Sequence, residues 1–410
     1  MNLTITVPSG ALDGESDGGK HSRLLPVVVF IHGGAFFLGS GSRPYYSPLT
    51  FCAHALQRRT PVVFVALNYR LGALGFFHCP EAAELVPPNN GLHDQLVALE
   101  WVREHVGGFG GDAENVTVLG QSAGGESISL HSLNETLAAP AYRRAVMFSG
   151  TPVTMPCMTP EQHGDNFREQ ARKLGLLEEG RSMVEVARRM LDVDVERIRE
   201  LGFVGAPCSR SEMLPYEKPT MQLARSGTPR HPSWAREQLV STTTYDGGIS
   251  YNMLVKDDKR KRHAKAITDI ANEVLGKPRA QRLLDMYGIT SADFDDDEAA
   301  LRKVCLFESD IGFFAAALSV ARGARSARTY LQVFDLGNPF EGPLEKGEFA
   351  THTWDIVALL GAYEERLSEL YKGVIAGWRD RLLDFITTGE APCEEYTCLL
   401  YTSSEPTRPY

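Results

Sequence analysis

Apolar residues along this chain fall mainly into short continuous runs rather than strict alternation. Such runs occur at Asn2–Val7, Pro26–His32, Pro61–Tyr69, Val116–Gly120, Ala145–Ser149, Gln238–Thr243 and Thr329–Phe334, and each reads as a strand. A strand that is apolar on both sides is one covered on both faces, the situation of a parallel sheet clothed in helices. Helical spacing separates several of these runs, at His93–His105, Ser122–Leu137 and Ala264–Leu275. Strands alternating with helices predict an α/β protein with a mostly parallel central sheet. From about 159 to 235, and again from about 280 to 323, the pattern changes to charged helical segments without convincing strands. Both stretches are expected to be cap or lid insertions within a single domain spanning 1–410. The last dozen residues, rich in Thr, Ser and Pro, read as a loosely held tail.

Composition narrows the class. Hydrophobic content of 43% and charged content of 23% are ordinary for a soluble globular protein. A formal charge of −10 argues against a nucleic-acid surface, which needs a basic stripe. The one basic run, from Lys256 to Lys265, is interrupted by acidic residues and reads as a solvated helix start. No apolar stretch in the sequence approaches the roughly 20 residues of a membrane span, so no transmembrane segment is expected. Seven cysteines, at 52, 79, 157, 208, 305, 393 and 398, are scattered, with no Cys-x-x-Cys pair or Cys/His cluster. Free buried thiols and no metal are the reading. The sequon at Asn115 opens a core strand and could hardly carry a glycan, so the sequons at Asn2, Asn115 and Asn134 say little about secretion. The first residues alternate like a strand and do not form a signal peptide. A cytoplasmic setting is expected, with a secreted parent as the alternative if the N-terminus is truncated.

The chemistry centres on Gly120-Gln121-Ser122-Ala123-Gly124-Gly125, which follows the β-branched run Asn115–Leu119 and leads into a helix. Strand, tight turn and helix are the context in which Gly-x-Ser-x-Gly is a nucleophile elbow. The serine must sit in a strained conformation, and a side chain at 120 or 124 would collide with a crossing strand or helix. Acyl transfer also needs oxyanion donors. Ile31-His-Gly-Gly-Ala-Phe36 supplies small residues directly after a strand, where an α/β-hydrolase carries its oxyanion loop. The N–H groups of Gly34, Ala35 and Ala123 are the expected hole. A phosphate-cradling loop is disfavoured because no Lys-Ser/Thr follows. Phe36, Phe37, Tyr45 and Tyr46, just beyond that loop, could be pocket wall or core and are left unassigned.

Several motifs then occur in a fixed order: His32-Gly-Gly-Ala-Phe36, Asn68-Tyr-Arg-Leu-Gly72, Asn90-Gly-Leu-His-Asp-Gln95, Phe109-Gly-Gly-Asp112 and the elbow. Together they resemble the type-B carboxylesterases, the group of the cholinesterases and fungal lipases. The likeness is close from Leu3 to about Gly150, looser in the middle and firm again around 329–386, and its details resemble fungal members most. The resemblance implies an α/β-hydrolase fold, a small-molecule ester substrate, no cofactor, and a triad in the order Ser, acid, His. In that register Tyr245-Asp246-Gly247 stands where the family usually has Asp-Glu-Gly, making Asp246 the acid, one methylene shorter. The alternatives are an Asp-Gly turn without catalytic duty and, as carboxylate, Asp310, which is expected to be a buried, hydrogen-bonded core group. Among eleven histidines, His352 in Ala350-Thr-His-Thr-Trp-Asp355 follows the last strand-like run and the loop Gly337–Pro343, and is the expected base. His32 is the alternative and reads better as packing.

The resemblance implies a carboxylic-ester hydrolase acting on a small or medium apolar ester through an acyl-enzyme. A lactone or thioester hydrolase, an acyl transferase, and a catalytically silent cholinesterase-like interaction protein remain open. Two departures stand out. The chain is shorter than family members usually are and opens at the strand after their early acidic-cysteine segment. Gln121 replaces the glutamate that cholinesterases carry beside the nucleophile, which makes recognition of a quaternary ammonium group a poor expectation.

Overall fold

The structure is a computed structural model that describes residues 2–9, 24–134, 142–202, 204–227, 235–251, 254, 262–324, 327–342 and 344–395. Cys398, the tail, residues 256–261 of the basic run and residues 135–137 of the expected Ser122–Leu137 helix lie outside them.

Seven strands form one sheet in the order β1-β3-β2-β4-β5-β6-β7: β1 is Asn2–Thr6, β2 Leu25–Ile31, β3 Val63–Asn68, β4 Gly111–Gln121, β5 Arg144–Phe148, β6 Glu237–Thr243 and β7 Arg328–Phe334. Only the β1–β3 pair is antiparallel; every other neighbour runs parallel. β2 and β5 are buried along almost their whole length, as their largely apolar sequences require, and β6 is equally buried although Glu237, Gln238 and Ser241–Thr243 are polar. One face packs on Leu92, Leu99, Val102, Val106 and Ile128, and the other on Phe51, Ile356, Leu360, Leu382 and Ile386. A mostly parallel sheet with helices on both faces and a serine elbow at a strand end is an α/β-hydrolase fold.

Polar residues at the lower ends of the strands hold the sheet. Arg144 donates from Nε to Glu237 at 2.8 Å and from Nη1 to Asn115 at 2.7 Å, and Arg328 also pairs with Glu237. The Asn115 amide donates to the Thr387 carbonyl at 3.1 Å, so this sequon asparagine is committed to the fold.

Residues 160–226 form four helices, Pro160–Lys173, Met183–Leu191, Val195–Arg199 and Met221–Ser226, and the first two share a separate apolar cluster built on Phe167, Val186 and Met190. Helix Ala315–Gly323 packs directly on β6 and β7 and serves as a sheet-covering crossover helix. It continues helix Glu298–Glu308 through a wide π-helical turn at Ser309–Phe314. The continuous helix Glu298–Gly323 reaches a mean hydropathy of 1.6 and is long and apolar enough to cross a membrane by length and composition, contrary to the expected absence of such a stretch. Here its apolar positions include Leu301, Cys305, Ala316 and Ala317, which are buried in the fold. Asp310 corrects another expectation: it is half-buried, not core, and accepts from the Tyr287 hydroxyl at 2.9 Å. Cys52, Cys79, Cys157, Cys208 and Cys305 are free and buried, but Cys393 is free and exposed.

Candidate active site

All the singled-out site residues lie at or just beyond the carboxyl ends of β2, β4, β6 and β7, the edge where open α/β sheets place their ligands. Ser122 follows β4 directly and precedes helix Ala123–Ser132, so the helix begins one residue later than its sequence suggests. Its backbone is at φ 55, ψ −124, a region that non-glycine residues seldom occupy. The glycines explain how the turn can be so tight. A Cβ at Gly124 would stand 2.0 Å from the Ile31 carbonyl oxygen, and one at Gly120 would stand 2.5 Å from the Gly124 backbone. Helix and strand therefore cross at backbone contact, and the serine is lifted above the sheet. Ser122 N–H donates to the Phe148 carbonyl at 2.7 Å, tying the elbow to β5.

The loop after β2 is strained in a matching way. Gly34, Ala35 and Phe36 have φ of 121°, 53° and 58°. The Gly34 carbonyl turns away to accept from Phe37 and Leu38 N–H at 3.0 and 2.9 Å. The N–H groups of Gly34 and Ala35 donate to no protein acceptor among the described residues. Ala123, as the first residue of its helix, has no intrahelical acceptor either. A Cβ at Gly33 would come within 2.8 Å of the Ser122 Cβ, which measures how closely the loop approaches the elbow. Phe36 is core, packed on Phe76 with ring centroids 4.8 Å apart, and Tyr46 is buried against Phe30.

Asp246 and His352 are brought together by backbone pairing. Beyond β6 and β7, Tyr245 N–H donates to the Ala350 carbonyl at 3.0 Å and Tyr245 forms a parallel bridge with Thr351. The next residue of each segment therefore stands side by side, and His352 Nδ1 lies 2.8 Å from Asp246 Oδ1. Asp246 Oδ2 accepts from Thr243 N–H at 2.9 Å, and the carboxylate is fully buried. A carboxylate donates nothing, so the imidazole proton sits on Nδ1. The other ring nitrogen, Nε2, is 3.1 Å from the amide nitrogen of Gln121, and Ser122 Oγ is not hydrogen-bonded to it. A cavity of about 230 Å³ reaches His352 between Tyr245, Phe340, Phe349, Glu341 and Glu345, and neither Ser122 nor the oxyanion loop lines it.

His32, the alternative base, is buried and stacks on Tyr69 at 4.6 Å, with Nδ1 2.8 Å from the Gly33 carbonyl. Burial lowers its pKa to about 4, which leaves it a neutral packing group. Asp310 accepts from Tyr287, and it is Asp246 that His352 Nδ1 meets.

A family model of the "Carboxylesterase family" matches residues 1–397. The chain belongs to the carboxylesterase family. Para-nitrobenzyl esterase of Bacillus subtilis (strain 168) is 37% identical over 282 residues, covering 65% of this chain and 52% of that protein. The bile salt-activated lipase of Homo sapiens is 27% identical over an alignment covering 95% of this chain and 53% of the lipase. The chain spans about half the length of these curated relatives. A solved PNB esterase structure superposes with a TM-score of 0.71 at 27% identity, covering 97% of this chain and 76% of that one.

Around the candidate site, several neighbours were not singled out in the sequence. Ser309, in the π-helical turn, accepts from Gly247 N–H at 2.9 Å and donates to the Cys305 carbonyl at 2.8 Å, holding the backbone beside Asp246. Phe313, from the same turn, covers the imidazole with centroids 5.4 Å apart. Asp355 is fully buried in the first turn of helix Trp354–Leu360; its Oδ1 accepts from Ile356 N–H at 2.8 Å and its Oδ2 has no partner. Burial, and after it the charge of Asp246, raises the Asp355 pKa to about 7.

That shift has a definite sign. Between about pH 4 and 7 the folded state keeps the Asp355 proton and the unfolded state has lost it, so stability from this group falls as pH rises. Asp355→Asn is expected to remove that slope: thermal unfolding midpoints of variant and wild type should draw together at pH 4 and separate in favour of the variant by pH 8. Parallel midpoint curves from pH 4 to 8 would refute it.

Proposed function

We propose that this protein is a carboxylic-ester hydrolase in which Ser122 is the nucleophile, His352 the base, Asp246 the orienting acid, and the N–H groups of Gly34, Ala35 and Ala123 the oxyanion donors. The observation that carries the reading is the convergence, at one sheet edge, of a strained Ser122 elbow, a 2.8 Å His352–Asp246 pair and a loop with undonated N–H groups. Membership of the carboxylesterase family, and relatives named as esterase and lipase, support it.

The chemistry follows. His352 Nε2 takes the Ser122 proton as Oγ attacks the ester carbonyl. The oxyanion is assigned to the N–H groups of Gly34, Ala35 and Ala123, those of Gly34 and Ala35 being without a protein acceptor among the described residues. His352 passes the proton to the departing alcohol oxygen and the acyl-enzyme remains. Water, deprotonated by the same nitrogen, releases the acid and restores Ser122. Asp246 holds the Nδ1–H tautomer and stabilises the imidazolium of each half-reaction. By likeness to a relative named para-nitrobenzyl esterase, the substrate is a small or medium apolar ester.

A fluorophosphonate added to the folded protein is expected to attach once, at Ser122, read by intact mass and peptide sequencing. Folded protein that stays unlabelled, or labelling at another residue, overturns the assignment and favours a catalytically silent member of the family.

A further inference from the structure

Both ring nitrogens of His352 are occupied, and the second is held by a residue with no established part in the chemistry. Nδ1 donates to Asp246, so Nε2 presents a lone pair. The group 3.1 Å from that lone pair must donate, which fixes the Gln121 amide with its nitrogen toward the ring. The other end of the amide agrees: Gln121 Oε1 accepts from the Tyr46 hydroxyl at 3.2 Å. Gly33 leaves room for this oxygen, since a Cβ there would stand 2.5 Å from it. Gln121 is 1% exposed and Tyr46 3%, so bulk water does not compete for these bonds.

We infer that Gln121 is a positioning residue for the base: it reserves the Nε2 lone pair of the neutral imidazole and surrenders it to Ser122 when an acyl group enters the oxyanion loop. The inference rests on the ester-hydrolase reading and deepens it. In the first step the Gln121 N–H···Nε2 bond breaks as the Ser122 proton moves to Nε2. The imidazolium then formed has N–H on both nitrogens, and a donating amide would oppose it. Turning the amide over relieves this, because Oε1 then accepts from Nε2–H and the Tyr46 hydroxyl, donor and acceptor alike, receives the amide N–H. The Tyr46–Gln121 pair can thus follow the proton without ever bringing a charge to the ring. Cholinesterases place a glutamate at this position, which would favour the imidazolium throughout.

The other groups around the imidazole are Asp246 from the turn after β6, Glu308 and Phe313 from helix Glu298–Gly323, and Asp355 from the helix that follows His352. None of them changes in Gln121→Glu, so this variant adds one charge to a fixed surround. The acid limb of its kcat/KM profile is expected to move up by about one pH unit, with KM at the alkaline plateau unchanged. In ¹⁵N-labelled wild type, a through-bond ¹⁵N–¹⁵N coupling is expected between the Gln121 amide and His352 Nε2, lost once a fluorophosphonate occupies Ser122. An unmoved acid limb in a Gln121→Glu protein that melts with the wild type overturns the inference. So does a free wild type whose Nε2 is protonated or uncoupled, a measurement that stands even where the variant does not fold. Failure of the fluorophosphonate to attach would instead strike the hydrolase reading, and the coupling in the free protein would still report on Gln121.

Discussion

Ser122→Ala is expected to lower kcat for a short-chain aryl ester by about a million-fold and to leave thermal unfolding within about 0.5 kcal/mol of wild type. The two halves of this expectation have separate reasons. Alanine keeps the Cβ, so the φ of 55° costs the same in variant and wild type, and the tight crossing of Gly120, Gly124 and Ile31 is untouched. The Oγ removed makes no hydrogen bond to His352, whose Nε2 is engaged by Gln121, so the resting fold loses little. Turnover loses its nucleophile altogether. What remains is water attacking an ester held in the oxyanion loop, a residual that oxyanion binding alone sustains at about 10³–10⁴ over solution. Steady-state kinetics and a calorimetric scan check both halves. A variant retaining more than a percent of wild-type kcat would place the chemistry on another side chain.

The elements most visible in the sequence were those whose burial writes itself into composition. Each of the seven strands overlaps a run read from the sequence, and β2, β3 and β5 are the plainest because a strand covered on both faces has little polar side to display, whereas β1 alternates and β6 buries polar side chains. The exception lies at the start of β4. Gly111–Asn115 reads as a polar turn, yet Gly111 pairs with Leu25 across a bulge, and the ladder extends through residues that propensity would leave out. The helical stretch 298–323 has a packing that its sequence does not display. Its charge pattern near Glu298 suggests a cap, and only the packing of Ala315–Gly323 on β6 and β7 makes it part of the layered core. At the site, Ser122 and the glycine loop were visible because strain demands particular residues at adjacent positions. The Asp246–His352 pair spans 106 residues and emerged only through family register; the bridge between Tyr245 and Thr351 is the physical cause that the sequence conceals. Ser309 and Phe313 were not legible at all, and for Gln121 and Tyr46 the sequence showed the residues but not their bonds, because a hydrogen bond across 75 or 231 residues leaves no local pattern.

Asp246→Asn is expected to cut kcat about 10⁴-fold with little change in KM, and the direction of its hydrogen bonds says why. The carboxylate accepts twice, from Thr243 N–H on Oδ2 and from His352 Nδ1–H on Oδ1. An asparagine has a single oxygen. The backbone donor of Thr243 cannot reverse, so that oxygen stays with it and the NH₂ turns to the imidazole. Nδ1 must then accept, the proton moves to Nε2, and the nitrogen that should take the Ser122 proton already carries one. Gln121 would follow by presenting Oε1, with the Tyr46 hydroxyl reversing, and so lock the wrong tautomer in place. Raising the pH should restore part of the activity, since hydroxide can replace the missing base for bound ester. The ¹⁵N shifts of His352 would show the tautomer directly. An Asp246→Asn protein with wild-type kcat, or with Nδ1 still protonated, would mean that another group orients the imidazole and that the acid of this triad has been misplaced.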